Sequence, residues 1–144
     1  MPQSVKSILD AKGRDVVSVT GEKTLQEVAN ILNDKRIGAV VITGIDNGIA
    51  GIFTERDFVR SIAREGAGVL EKQVASAMTT TVTRCREDTT TDELMEMMSQ
   101  GRFRHVPVES HGKVVGIISI GDVVKSRIHE IETEAEQIKA YIAG

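Results

Sequence analysis

Two short motifs place a hydroxyl residue three positions before an aspartate: Thr54-x-x-Asp57 and Ser119-x-x-Asp122. In both, a glycine and two apolar residues precede the hydroxyl, as the stretches GIFTERD and GIISIGD show. At this spacing the hydroxyl and the carboxylate can cap the first turn of a helix. The carboxylate can also accept hydrogen bonds from a neutral diol such as a ribose, although its charge repels phosphate. Helix capping and ligand binding therefore both fit the motif.

Cationic residues that could receive a phosphate lie near the second motif rather than the first. Arg104 and His105 precede Ser119, whereas Gly38 and Ala39 stand at the matching positions before Thr54. Arg56, inside the first motif, either compensates in part or is a solvated helix residue. We therefore expect two unequal sites, with glycines that let a ligand approach the backbone closely.

The two motifs belong to a longer internal repeat. They begin at Gly51 and Gly116, about 65 residues apart, a period typical of a repeated supersecondary unit. Capping boxes recur at nearly the same offset, from Thr24 to Glu27 and from Thr90 to Glu93. The one-residue difference in offset falls in a predicted hairpin loop, where a deletion costs little.

Each repeat is predicted to run strand, helix, strand, strand, helix, which gives an α+β fold of two pseudo-symmetric repeats packed through their small sheets. The predicted strands are 16–19, 37–43 and 49–53 in the first repeat and 82–85, 102–108 and 114–119 in the second. The predicted helices are 24–35 and 54–64, then one from Thr90 and one from Gly121.

The predicted boundaries place the first repeat, with an N-terminal segment, at 1–66 and the second at 74–130, joined by a connector at 67–73. Residues 131–144 are predicted to be a helical extension. The apolar residues beyond Lys125 have heptad spacing, which fits either a helix packed on its own module or a dimer contact. They are Ile128, Ile131, Ala135, Ile138 and Ile142.

The composition is that of an ordinary globular protein, with 40% hydrophobic, 27% charged and 3% aromatic residues among 144. A formal charge of −3 argues against a broad surface for nucleic acid or anionic membranes. One cysteine and the lack of an apolar leader favour the cytoplasm. Cys85 is predicted to be a small buried residue, and neither a metal site nor catalytic residues are expected.

Together the repeat, the two hairpins and the recurring Gly-apolar-apolar-Thr/Ser-x-x-Asp motif resemble a tandem pair of CBS domains, the Bateman module, from about residue 4 to 130. The chain is most similar to the stand-alone bacterial type. The resemblance implies a regulatory module that binds an adenosine-containing ligand such as AMP, ATP or NAD in the cleft between the two motifs. It implies no enzymatic activity.

Carried over by position, the resemblance assigns ribose binding to Thr54 and Asp57 at one site and to Ser119 and Asp122 at the other. Arg104 and His105 match positions at which family members direct side chains to phosphates. The implied adenine contacts are Val17, Ile37, Gly38 and Ile118 for the Asp122 site, and Thr83, Phe103 and Ile52 for the Asp57 site.

Two functions follow as hypotheses. In the first, the chain is an adenine-nucleotide sensor, forms a homodimer and acts on an unidentified effector protein, because no effector domain accompanies the repeats. In the second, it is a structural module for dimerisation or protein interaction with no physiological nucleotide. The intact aspartate pair with Arg104 and His105 favours the first hypothesis, whereas Gly38 and Ala39 leave room for the second.

Overall fold

The computed structural model describes residues 3–143, which form two compact units. The first unit comprises Asp15–Thr83 and Ser110–Val115, and the second comprises the chain up to Arg14, Arg84–Glu109 and the chain from Gly116 onward. The helices are α1 (Val5–Lys12), α2 (Leu25–Lys35), α3 (Glu55–Glu65), α4 (Thr91–Gly101) and α5 (Ile120–Ala143). The strands are β1 (Ser18–Val19), β2 (Ala39–Thr43), β3 (Ile49–Thr54), β4 (His105–Ser110) and β5 (Lys113–Ser119).

A three-stranded sheet, in the order β1-β2-β3, organises the first unit. β1 is parallel to β2, and β2 is antiparallel to β3 with Ala39 opposite Thr54. Both faces of β2 are buried, and its sequence is therefore a continuous run of mostly β-branched apolar residues rather than an alternation of apolar and polar ones. The core of the first unit contains Val19, Leu25, Val28, Leu32, Val40, Ile42, Phe53, Val69 and Val74.

Capping residues fix where the helices of this unit begin. Thr24 accepts a hydrogen bond from Glu27 N, and the Glu27 side chain accepts one from Thr24 N, so the predicted capping box of α2 is confirmed. α2 ends at Lys35, and its C-cap residue Arg36 has a left-handed backbone with φ 54°. The chain then enters β2 directly, and the short connection holds the end of α2 beside the start of the sheet.

β4 and β5 form a two-stranded sheet, and the second unit contains this sheet without its hairpin end at Ser110–Val115, together with α1, α4 and α5. The N-terminal segment, which the sequence grouped with the first repeat, forms its backbone contacts here. Val5 N donates to Thr89 O at 2.8 Å, and Lys6 N donates to Glu87 O at 2.9 Å. These bonds anchor α1 ahead of α4.

The predicted strand at 82–85 is wrong. Only Cys85 pairs there, in a parallel bridge with Val108, where Cys85 N donates to Pro107 O at 3.0 Å and Glu109 N donates to Cys85 O at 2.9 Å. A longer ladder toward Thr83 would need an N–H from residue 107, and proline has none. The pairing therefore stops after one residue.

Apart from that segment, the order of helices and strands follows the prediction, and the α+β class with two small sheets and a C-terminal helix is confirmed. α5 runs without a break from Ile120 to Ala143, through the position where an extension was predicted to begin. Within residues 3–143, no helix is both long enough and apolar enough to cross a lipid bilayer.

Candidate functional site

The first motif caps α3 and holds its aspartate in a closed set of hydrogen bonds. Thr54 Oγ1 accepts from Asp57 N at 3.3 Å, while Asp57 Oδ2 accepts from Thr54 N at 3.0 Å. The other carboxylate oxygen, Oδ1, accepts from Thr79 Oγ1 at 3.2 Å and from an Arg60 guanidinium nitrogen at 3.3 Å. Only 9% of the Asp57 side chain is exposed, so the carboxylate is saturated by its own unit.

The second motif uses the same local geometry at the start of α5. Ser119 Oγ accepts from Asp122 N at 3.2 Å, and Asp122 Oδ2 accepts from Ser119 N at 2.9 Å. Here the exposed fraction of the aspartate side chain is 22%, more than twice that of Asp57. The Asp122 carboxylate is therefore the more accessible of the two.

A lysine from α1 completes the surroundings of Asp122. Lys12 Nζ donates to Asp122 Oδ2 at 2.6 Å and to Ile117 O at 2.8 Å. Burial acts to raise the pKa of Asp122, but the hydrogen bonds from Lys12 and Ser119 N together outweigh it, so the pKa lies below its usual value. Asp122 is consequently ionised at neutral pH, the form that accepts hydrogen bonds most strongly.

In each unit, a backbone hydrogen bond joins the first residue of the helix that follows the motif to the residue at the matching upstream position, Gly38 or Arg104. Glu55 N donates to Gly38 O at 3.0 Å in the first unit, and Ile120 N donates to Arg104 O at 2.8 Å in the second. The pseudo-symmetry therefore extends to single hydrogen bonds. It places Arg104 beside the Ser119 motif, where the first unit has a glycine that cannot supply a charge.

The predicted site residues, taken together, are divided between the two units. Thr54, Arg56, Asp57, Val17, Ile37, Gly38, Ile52 and Thr83 lie in the first unit, and Phe103, Arg104, His105, Ile118, Ser119 and Asp122 lie in the second. Ile52 and Ile118 are buried, Val17, Ile37, Phe103 and His105 are half-buried, and Thr83, Arg56 and Arg104 are exposed. Hydrogen bonds bring together Thr54 with Asp57, and Ser119 with Asp122.

The motif glycines have a packing role that the sequence did not predict. A Cβ on Gly51 would lie 2.6 Å from Met78 Sδ and 2.9 Å from Thr79 O, and one on Gly116 would lie 2.7 Å from a Leu9 methyl. The space beside each glycine is thus filled by the protein's own chain. Close packing therefore accounts for these glycines by itself, and the approach of a ligand to their backbone stays a prediction.

Three residues around the aspartates were missed by sequence reasoning: Lys12, Thr79 and Arg60. Arg60 stands three positions after Asp57 on one helix, so its contact was recognisable from the spacing. Lys12 lies 110 residues from Asp122 and Thr79 lies 22 from Asp57, distances at which no local pattern signals contact. Cys85 is buried as predicted, and burial raises the pKa of its thiol to about 12.

Comparison with known proteins assigns the family. The model of the CBS domain matches residues 5–64 and 73–129, which is most of the chain. This chain belongs to the CBS domain family and contains two copies of the domain.

Solved structures agree with this assignment. A CBS-domain-containing protein from Agrobacterium tumefaciens is 54% identical with a TM-score of 0.84, over 88% of this chain and 95% of that one. The CBS domain pair of protein MJ0100, in complex with 5′-methylthioadenosine and S-adenosylmethionine, is 26% identical with a TM-score of 0.76, over 85% and 98%. A Pyrobaculum aerophilum CBS domain protein complexed with AMP is 26% identical with a TM-score of 0.73, over 83% and 88%.

Curated relatives include a mitochondrial CBS domain-containing protein of Arabidopsis thaliana, CBSX3. It is 30% identical over 98% of this chain and 72% of its own length. A second protein of that plant, CBSCBSPB1, is 28% identical to this chain, and the match covers 99% of this chain but only 26% of the length of CBSCBSPB1. The CBS pair thus occurs both as most of a protein and as a small part of one.

Proposed function

We propose that this protein is a regulatory sensor that binds an adenosine-containing ligand through the Ser119–Asp122 motif. The supporting observation is the partly exposed, ionised Asp122 carboxylate at a capped helix start, in a family whose members include proteins solved with AMP and with 5′-methylthioadenosine and S-adenosylmethionine. In this proposal Asp122 accepts hydrogen bonds from the ribose diol, and Ser119 holds the carboxylate in place.

The other predicted contacts complete this proposal. Arg104 and His105 face the phosphate of a nucleotide, and Ile118 contributes an apolar contact to the base. The Asp57 motif, with Thr54 and Arg56, forms a weaker site, because both oxygens of its buried carboxylate already accept hydrogen bonds, whereas the bonds from Lys12 and Ser119 to Asp122 both fall on Oδ2. The two sites therefore differ in affinity for the ligand. The hydrogen bonding of Asp57 is a stronger reason for this difference than the lack of a cationic side chain at Gly38.

Sensing requires two arrangements of the protein that bind the ligand with different affinity. Typical couplings of this kind are about 1 to 3 kcal/mol, or about 5- to 150-fold in a partner's affinity. The proposed output is binding to an effector protein, and neither catalysis nor a catalytic cofactor is part of it.

The alternative is an assembly module that works through a homodimer without a physiological nucleotide. Exposed apolar side chains along the outer part of α5 favour this function, since Ile128, Ile131, Ile138 and Ile142 find little burial within their own chain. Dimerisation and ligand binding are compatible, so the second function replaces the first only when the ligand site is empty.

A thermal-shift panel of AMP, ATP, NAD, 5′-methylthioadenosine and S-adenosylmethionine tests the proposal. A ligand at 100 times its dissociation constant adds about 2.7 kcal/mol, which raises the melting temperature of a domain of this size by roughly 5 to 10 °C. Guanosine monophosphate is the matched control. An unchanged melting temperature across the whole adenine panel contradicts the sensor function and leaves the assembly module.

A further inference from the structure

Lys12 already occupies the carboxylate that the proposed ligand needs. Its ammonium donates to Asp122 Oδ2 at 2.6 Å, and the same oxygen accepts from Ser119 N at 2.9 Å. A carboxylate oxygen accepts about two hydrogen bonds. A ribose diol that uses both oxygens of Asp122 must therefore displace Lys12 or share the oxygen with it.

The first unit has no equivalent arrangement at Asp57. There, within the described residues 3–143, the carboxylate accepts from Thr54, Thr79 and Arg60, of which the first two are neutral donors. The cation at Asp57 comes from the same helix, whereas the cation at Asp122 comes from α1, which is remote in sequence. Lys12 is thus supplied to the second motif from outside the second repeat.

A displaced Lys12 needs a new anionic partner. Ile117 O is its remaining acceptor at 2.8 Å, and a carbonyl does not neutralise an ammonium of which the side chain is only 33% exposed. A ligand with a phosphate supplies that partner, because the flexible lysine stem lets the ammonium move several ångströms. A neutral nucleoside leaves the ammonium unpaired, and a cationic ligand repels it.

From this geometry we infer that Lys12 is a specificity residue that makes the Asp122 site select anionic adenosine ligands over neutral and cationic ones. The inference rests on the proposed function and extends it by naming the charge class of the ligand. It orders three compounds: AMP binds more tightly than 5′-methylthioadenosine, which binds more tightly than S-adenosylmethionine.

The test is calorimetric titration of these three ligands into the full chain and into Lys12→Met, which keeps the apolar stem and removes the charge. Loss of the charge-assisted contact to phosphate, which 5′-methylthioadenosine cannot make, changes the ratio of the AMP and 5′-methylthioadenosine dissociation constants by about tenfold in favour of the neutral ligand. Lys12→Arg retains the preference for AMP. Lys6→Met is the matched control, because Lys6 lies on α1 in an exposed ion pair with Asp10.

The outcomes separate this inference from the proposed function. A wild-type chain that binds none of the three ligands overturns the inference, and the proposed function falls with it when ATP and NAD also leave the melting temperature unchanged. A wild-type chain that binds them, with the same ratio in Lys12→Met, overturns the inference alone. If Lys12→Met does not fold, Lys12→Gln replaces it. Salt provides a second test, because screening should weaken the attraction between Lys12 and the phosphate. A wild-type preference for AMP that is unchanged from low to high salt contradicts the inference.

Discussion

Thr79 Oγ1 donates a 3.2 Å hydrogen bond to Oδ1 of Asp57, and this bond joins the segment after the first repeat to the start of α3. The same segment pairs with β3, since Ile52 N donates to Thr79 O at 3.0 Å and Thr79 N donates to Ile52 O at 2.9 Å. Asp57 is therefore a structural centre of its unit, whereas Asp122 is held by fewer groups and remains more exposed.

This difference predicts unequal costs for the two alanine substitutions. Asp57→Ala leaves Thr54 N and Thr79 Oγ1 without their acceptor and should lower the free energy of unfolding by about 2 to 3 kcal/mol. Asp122→Ala should cost about 1 kcal/mol, because water replaces part of its hydrogen bonding. Urea unfolding of both variants measures the difference, and equal losses would contradict the structural role of Asp57.

Gly51→Ala should destabilise the protein by about 1 to 3 kcal/mol, because its Cβ would lie 2.9 Å from Thr79 O in a segment that hydrogen bonds hold in place. Gly68→Ala is the matched control, since a Cβ there meets nothing within 4 Å. That control should be neutral or stabilising by up to about 1 kcal/mol. Thermal unfolding that ranks the two variants in the opposite order would refute the packing role of Gly51.

The Lys12–Asp122 ion pair should contribute stability that acid removes. The folded state depresses the pKa of Asp122, so the unfolded state binds the proton first as the pH falls below about 4. Wild type should therefore exceed Lys12→Met in unfolding free energy at pH 7, and the gap should narrow as the pH falls below about 4. A gap that stays constant over this range would show that the pair adds no pH-dependent stability.

The exposed side of α5 should mediate a homodimer. Ile131→Glu combined with Ile138→Glu places charge on the apolar seam and should convert a dimer into a monomer, because unpaired charges are costly in an apolar interface. Thr133→Glu adds a charge on the same helix away from the seam and should leave the mass unchanged. Light scattering measures the mass, and a wild-type monomer at tens of micromolar would rule out this interface.

Local patterns account for most of the fold and for the two motifs. Thr24, Thr54 and Thr90 accept hydrogen bonds from the third helical residue as capping predicts, and β2 with β3 and β4 with β5 pair as the two predicted hairpins. Contacts between residues far apart in the sequence were less predictable than these local features. Cys85 pairs singly because Pro107 cannot donate, and Lys12 reaches Asp122 from another element. Such contacts depend on tertiary packing, which a local pattern does not encode.

The most direct test of the sensor function is the affinity of Asp122→Ala for AMP, measured by titration calorimetry beside the wild type. Because the substitution removes charge-assisted hydrogen bonds to the ribose diol, binding should weaken by roughly 1.5 to 3 kcal/mol, or about 10- to 150-fold. The variant should keep its helical circular dichroism. A variant that loses stability but binds AMP as tightly as the wild type would show that the Ser119–Asp122 motif only caps α5.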